Sequence, residues 1–320
     1  MLGNWKRLVA LALGLGLAIF CTPIWAAPPV AQPGALNYVE GQVSIGNQPV
    51  TSRAVGSAIL NTGNVLSTGN GRAELLLTPG VFMRLGKNSA LRMESPELTN
   101  TRVELLQGEA TVEADVLHPE DRILIVERGA TTQLTKEGVY DFNADLQVVR
   151  VYEGRVLVTQ GDQHVDLKKD RQVALNQPLK SKKFDRDAVE NSDPLYAWSK
   201  LRSEYLADAT ASTAQTYLVD GGPWYGAGWY WNPYWAMYSF IPGDGFFYNP
   251  FGFGLYSPLY AGFYGGHFYG GHGFYGRGYV ARGSMTRSAP LAMRSGGGFA
   301  RMGGGFGGGG FHGGGGGGHR

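Results

Sequence analysis

Gly63-Asn64-Val65-Leu66-Ser67-Thr68-Gly69-Asn70-Gly71-Arg72-Ala73-Glu74-Leu75-Leu76-Leu77 runs into a Pro79-Gly80 turn. It resumes as Val81-Phe82-Met83-Arg84-Leu85-Gly86-Lys87-Asn88-Ser89-Ala90-Leu91-Arg92-Met93. Ala73, Leu75 and Leu77 alternate with Arg72, Glu74 and Leu76, and Val81, Met83 and Leu85 keep the period of two beyond the turn. Alternation over short runs, punctuated by glycine, predicts half-buried strands. The same pattern recurs at Val103/Leu105, Ala110/Val112, Val149/Val151 and Val156/Val158, so residues 36–180 read as one all-β domain. A chain of that length can bury a single sizeable core.

Working outward, an internal repeat appears. Tyr38-Val39-Glu40-Gly41-Gln42-Val43, Leu105-Leu106-Gln107-Gly108-Glu109-Ala110 and Val151-Tyr152-Glu153-Gly154-Arg155-Val156 share an apolar pair, a polar residue, glycine and renewed alternation. Glycine inside a strand pattern marks a bulge or a close backbone approach. Two similar sheet layers, stacked as a β-roll or a short β-solenoid, follow from this repeat. Beyond it, Asp193 is placed to cap a helix with Pro194 at its first position. Leu195, Trp198, Leu201, Tyr205 and Leu206 then fall on one face, giving an amphipathic helix over 187–210 that packs on the β domain.

The flanks have a different grammar. Lys6 and Arg7 precede an apolar run, Leu8 to Phe20, broken by Thr22 and Pro23 before Ala26 and Ala27. This is the order of a cleaved signal peptide spanning 1–26, followed by a linker at 27–35; the run is too short for a permanent transmembrane helix. Phe20 ahead of Cys21 is not the small residue that a lipid-accepting cysteine needs, and cleavage after Ala26 leaves no cysteine at all. Disulfides, thiolate nucleophiles and cysteine-bound zinc are thereby excluded. Residues 221–260 form an aromatic, proline- and glycine-rich module. Residues 261–320 are dominated by glycine, aromatics, arginine and histidine, a composition that predicts disorder.

The run from Gly63 to Met93 resembles the core motif of the FecR domain, in which Leu-x-Thr leads to Ala-x-Leu-x-Leu, a glycine turn, Arg-Leu-Gly and Ser-x-Leu. The residues carrying the resemblance are Gly63, Leu66, Thr68, Gly69, Ala73, Leu75, Leu77, Gly80, Arg84, Leu85, Gly86, Ser89 and Leu91, joined by the repeat glycines Gly108 and Gly154. Trp198 and Arg202 resemble a Trp-x-x-x-Arg helix that follows the domain in stand-alone exported members. The resemblance implies an extracytoplasmic all-β domain that senses or binds an envelope partner. Six or seven residues ahead of the apolar run leave no room for the cytoplasmic anti-sigma part of the well-known regulators.

Chemistry is sparse. The sequence lacks Gly-x-Ser-x-Gly, His118 and His164 lie among charged residues, and Glu109, Glu113 and Asp115 alternate as a solvated face would. Gly271 to Gly276 matches Gly-x-Gly-x-x-Gly without the strand and helix that a dinucleotide site needs. The tail histidines have no carboxylate or thiolate near them to complete a metal site. The net charge of +2 gives no ground for a nucleic-acid partner. The expectation is therefore a non-enzymatic exported protein of the periplasm or outer envelope, or a secreted one, with no cofactor, no catalytic residues and no metal. Its partner is an envelope protein or cell-surface component, and self-association through the cationic, aromatic tail is the alternative.

Overall fold

The computed structural model describes residues 31–220 and 226–260. The signal peptide, Cys21, the 261–320 tail and its histidines lie outside the described residues. The strands are β1 (Leu36–Ile45), β2 (Gln48–Val50), β3 (Val65–Thr78), β4 (Val81–Leu85), β5 (Ala90–Glu97), β6 (Asn100–Gln107), β7 (Glu109–Ala114) and β8 (Ile123–Glu127). They continue as β9 (Ala130–Leu134), β10 (Gly138–Asn143), β11 (Val148–Glu153), β12 (Arg155–Gln160), β13 (Gln163–Lys168), β14 (Arg171–Ala174) and β15 (Lys182–Lys183). Helices α1 (Arg186–Ser192) and α2 (Pro194–Asp220) follow, then two hairpins, β16 (Gly228–Asn232) with β17 (Met237–Ile241) and β18 (Phe246–Tyr248) with β19 (Gly254–Tyr256).

One hydrogen-bonded path runs β13-β12-β9-β8-β6-β5-β3-β4-β7-β10-β11-β14-β15, without closing into a barrel. It folds at β3: Val65–Ser67 pair with β5, whereas Ala73–Leu76 and Thr78 pair with β4. Strands on the β4 side make an inner layer and strands on the β5 side an outer layer. Leu75, Met83, Val112, Tyr140 and Phe142 of the inner layer share one core with Leu91, Leu105, Ile125, Val156 and Val158 of the outer layer. This is the expected β-roll.

The repeat glycines mark the seam where the chain passes between layers. Gly108 joins β6 to β7 at φ +75°, Gly154 joins β11 to β12 at φ +97°, and Gly41 sits at a bulge in β1 at φ +68°. A side chain at Gly108 would place its Cβ 2.6 Å from the Ser89 Cα and 2.3 Å from its Oγ. Motif residues hold the same seam. The Thr68 hydroxyl donates to the Gly86 carbonyl (2.6 Å) and accepts from the Ser89 N–H (2.9 Å), while Ser89 Oγ accepts from the Glu109 N–H (2.9 Å). Gly108→Ala is therefore expected to destabilise by about 1–3 kcal/mol from backbone strain alone, with the Ser89 clash added. Gly46, at φ +55° with open space around its Cβ position, provides the comparison. Urea unfolding should show a larger loss for Gly108→Ala than for Gly46→Ala.

Layer position decides whether strand patterns look alternating. In the outer layer β6 alternates buried and half-buried residues, the pattern of a one-sided strand. In the inner layer every residue of β4 is buried, as are all but the first of β7 and all but the last of β10. Their second face is covered by α2 and the hairpins: Leu76 and Phe82 pack with Leu206, Ala209, Tyr238 and Phe240, and Val139 and Tyr152 with Tyr196.

Several expectations change at this covered face. Residues 32–35 are not linker: the Gly34 N–H donates to the Leu76 carbonyl (2.8 Å), the Leu60 N–H donates to the Gly34 carbonyl (2.8 Å), and Ala35 is fully buried. The helix expected over 187–210 breaks at Asp193 and then runs to Asp220. Asp193 caps the second helix as its sequence position predicts, with Oδ1 accepting from the N–H groups of Leu195 (2.7 Å) and Tyr196 (3.1 Å). Leu201, assigned to the apolar stripe, is exposed, while Ser199, Arg202, Ser203, Thr210 and Thr213 are buried. The helix lies between the sheet and the β16–β17 hairpin, so its buried surface exceeds one apolar stripe and carries polar partners.

Candidate functional site

A cross-strand row of polar side chains underlies α2. Glu74 of β3 stands opposite Arg84 of β4, Arg84 opposite Thr111 of β7, Thr111 opposite Asp141 of β10, and Asp141 opposite Arg150 of β11. Glu74, Arg84, Thr111 and Asp141 are fully buried. Polar groups are tolerated inside a protein when they are paired, and charges when they are both paired and hydrogen-bonded.

At one end of the row the pairing is dense. Arg84 Nε donates to Glu74 Oε2 (2.7 Å), and its Nη2 lies 2.7 Å from Glu113 Oε2, a charge contact without hydrogen-bond alignment. Arg202 Nη2, arriving from α2, donates to Glu74 Oε1 (2.8 Å). Asn37 Nδ2 donates to the same oxygen (2.9 Å), and Asn37 Oδ1 accepts from the Tyr238 N–H (2.7 Å) of the first hairpin. Ser203 Oγ donates to Glu113 Oε1 (2.5 Å) and accepts from Asn249 Nδ2 (2.7 Å) near the second hairpin. Burial alone would raise the Glu74 carboxyl, but the guanidiniums of Arg202 and Arg84 outweigh it and hold the group at about 2. The result is a charge clamp that fixes the helix and both hairpins to the β-roll.

An aromatic stack flanks the clamp. The Arg202 guanidinium lies 4.3 Å from the Tyr38 ring centre, Tyr38 lies 5.8 Å from Trp198, and Arg72 sits 5.4 Å above Trp198. Such contacts are worth about 0.5–2 kcal/mol each, most when desolvated.

The expected motif residues thus separate into roles. Leu66, Ala73, Leu75, Leu77, Leu85 and Leu91 line the core, while Thr68, Gly86, Ser89, Gly108 and Gly154 build the seam. Gly63 and Gly80 turn the chain at φ +80° and +81°, and Gly69 lies where a Cβ would stand 2.9 Å from Gln42 Oε1. Arg84 and Arg202 meet at the clamp through Glu74, and Trp198 stands in the stack beside it. The reading of Glu113 and Asp115 as a solvated face is corrected, since both are buried and Glu113 accepts from Ser203 of α2. Sequence reasoning misses Glu74 as a site residue; its one signal is a charge set within the otherwise apolar run 73–77. His118 and His164 are exposed.

The hairpins also carry exposed aromatic side chains. Tyr234 is 85% exposed and Tyr248 68% exposed. Tyr248 packs edge-on against Phe246 at 4.8 Å, and Phe246 stacks on Tyr260 at 5.8 Å. Among the described residues no helix is long and apolar enough to cross a membrane.

No curated protein matches this chain. Two crystal structures, at 2.50 and 1.65 Å, of a protein described as an anti-sigma factor from Parabacteroides distasonis ATCC 8503 are 21% and 19% identical to it. Each match covers 42% of this chain with a TM-score of 0.34. The match spans 64% of the length of the chain in each of those structures. Residues 64–157 match the family model described as FecR protein, the stretch that holds the Arg84 end of the clamp and the Gly108 and Gly154 crossings. The β-roll of this chain therefore contains a FecR domain.

Proposed function

We propose that this chain is a non-enzymatic, exported envelope protein that binds an envelope component through the aromatic face of its hairpins, with the FecR domain as the rigid base. The observation that carries the reading is the pairing of a fixed support with exposed aromatics. The clamp ties both hairpins to the roll, and Tyr234 and Tyr248 stand out from them. Exposed aromatic side chains on an ordered element supply large contact area at little ordering entropy, which suits recognition.

The fold also dictates how a test must be cut. A truncation near Ala209 would strip Tyr238 and Phe240 from Leu76 and Phe82, so the useful boundary lies after Tyr260. Labelled chain ending at Tyr260 should bind isolated envelopes saturably, unlabelled chain should displace it, and a Tyr234→Ala/Tyr248→Ala variant should bind at least tenfold more weakly. Binding that needs residues 261–320, or that the double variant leaves unchanged, would overturn the reading in favour of association through the tail.

A further inference from the structure

At the far end of the polar row three carboxylates converge from three separate elements. Glu109 of β7, Asp141 of β10 and Asp193, the cap of α2, each offer an oxygen, and these oxygens lie within 4.8 Å of one another. Arg150 is the cation paired with them, Nη1 donating to Asp141 Oδ2 at 2.8 Å. Asn143 Nδ2 donates to Glu109 Oε1 (3.3 Å), and the Tyr152 hydroxyl approaches Asp193 Oδ2 (3.5 Å). Among the described residues that leaves three acidic side chains against one paired guanidinium. Asp141 is fully buried, and its Oδ1 has no hydrogen-bond partner among the described residues.

A second group points the same way. Thr111 is the direct cross-strand neighbour of Asp141 and lies two residues along β7 from Glu109, so its side chain shares their face of the sheet. It too is fully buried, and its Oγ1 has no hydrogen-bond partner among the described residues. A buried hydroxyl oxygen with unused lone pairs, beside the buried Asp141 carboxylate and the half-buried Glu109 and Asp193, completes an all-oxygen donor set.

We propose that Glu109, Asp141 and Asp193, with Thr111 beside them, bind a calcium-class divalent cation that fastens the N-terminus of α2 to the inner layer. The ligands are all oxygen, the donor type that calcium and magnesium select. Calcium–oxygen distances of about 2.3–2.6 Å allow oxygens on opposite sides of one ion to stand about 5 Å apart, so a single ion reaches the observed spread. Glu109 is half-buried and opens the cluster to solvent, giving the ion an entry path. The competing occupant is a proton: burial, and then the neighbouring Glu109, raises the Asp141 carboxyl well above its usual range.

The full-length chain, prepared in chelator, is titrated with calcium chloride against sodium chloride of matched ionic strength. A saturable rise in Tm of about 5 °C or more is expected at a hundredfold excess over Kd. Terbium should give tyrosine-sensitised emission, because Tyr152 stands at the cluster, and calcium should quench it by displacement. Asp141→Asn should abolish both responses while keeping the wild-type circular dichroism. No calcium effect beyond sodium chloride, or an equal effect in Asp141→Asn, overturns the site. If the wild type ignores calcium and Asp141→Asn raises Tm in chelator, the cluster holds a shared proton instead. Glu109→Gln provides the second variant should Asp141→Asn fail to fold, and it should weaken terbium emission in the same way.

Discussion

Replacing Arg84 by leucine is expected to lower the unfolding free energy by about 3–5 kcal/mol, the range measured when one partner of a buried ion pair is removed. The loss comes from what remains. Glu74 would retain Arg202 and Asn37, but Glu113 would keep only the Ser203 hydroxyl, with Asp115 buried close by. Burial and then the Glu113 charge already push the Asp115 carboxyl well above its usual range, so a further uncompensated negative charge falls where it is least tolerated. Urea unfolding of the wild type and Arg84→Leu measures the difference. A loss below about 1 kcal/mol, the size of an exposed pair, would mean that the clamp is not fixing the layers. The triple change Glu74→Gln/Arg84→Leu/Glu113→Gln should recover part of the loss, because no charge is then stranded. The clamp also has a pH signature. Glu74 titrates at about 2 in the folded chain against 4.5 unperturbed, so its stabilisation is complete above pH 4.5 and disappears as pH falls towards 2.

The second large effect has the opposite sign. Glu127 lies on the inward side of β8 with Ile123 and Ile125, is fully buried, and among the described residues has no hydrogen-bond partner for either carboxylate oxygen. Burial first, then repulsion from Asp141, raises its carboxyl to about 8, with Arg128 offsetting part of the rise. Below pH 4.5 both folded and unfolded chains keep the proton and the penalty vanishes. Between 4.5 and 8 the unfolded chain releases it first, so stability declines as pH rises, and above 8 the decline stops. Glu127→Gln removes this slope. A carboxyl that stays protonated when folded costs about 1.4 kcal/mol for every pH unit above its unfolded pKa. The advantage of Glu127→Gln over the wild type should therefore be close to nil at pH 4, roughly 3 kcal/mol at pH 7, and near its full value at pH 9. Unfolding in chelator at these three pH values measures it. An advantage that does not change with pH would show that the Glu127 carboxyl is solvated.

How far the sequence could be read follows from which face a residue occupies. Outer-layer strands such as β6 alternate cleanly, and the repeat around Gly41, Gly108 and Gly154 announced the seam, because a positive φ leaves few alternatives to glycine. Asp193-Pro194 announced the helix start. The inner layer was harder, since a strand covered on both sides loses its period. There Glu113 read as part of a solvated face, and Glu74 as one polar position alternating with Ala73, Leu75 and Leu77. Only the partner from α2, Arg202, makes their burial intelligible, and nothing local encodes that meeting. The stripe assigned to α2 failed at Leu201 for the same reason. A helix between two layers takes polar contacts such as Ser203 to Glu113 in place of an apolar edge. The hairpins gave the weakest signal, because aromatic residues served there as core, as stack and as exposed surface alike.

The sequence distance spanned by the clamp has a consequence for the timing of folding. Glu74 waits for Arg202, 128 positions later, and Asn37 waits for the Tyr238 backbone, 201 positions later. Contacts of such separation form late, because the intervening chain must first give up its freedom. A polypeptide emerging from its N-terminus can complete the two-layer roll while Leu76, Phe82, Glu74 and Arg84 still lack their cover. During that interval the nascent molecule shows a sticky, charged flank that the finished one conceals. The window closes only when the last hairpins arrive, which makes this flank the natural place for a holding chaperone to grip and for aggregation to begin.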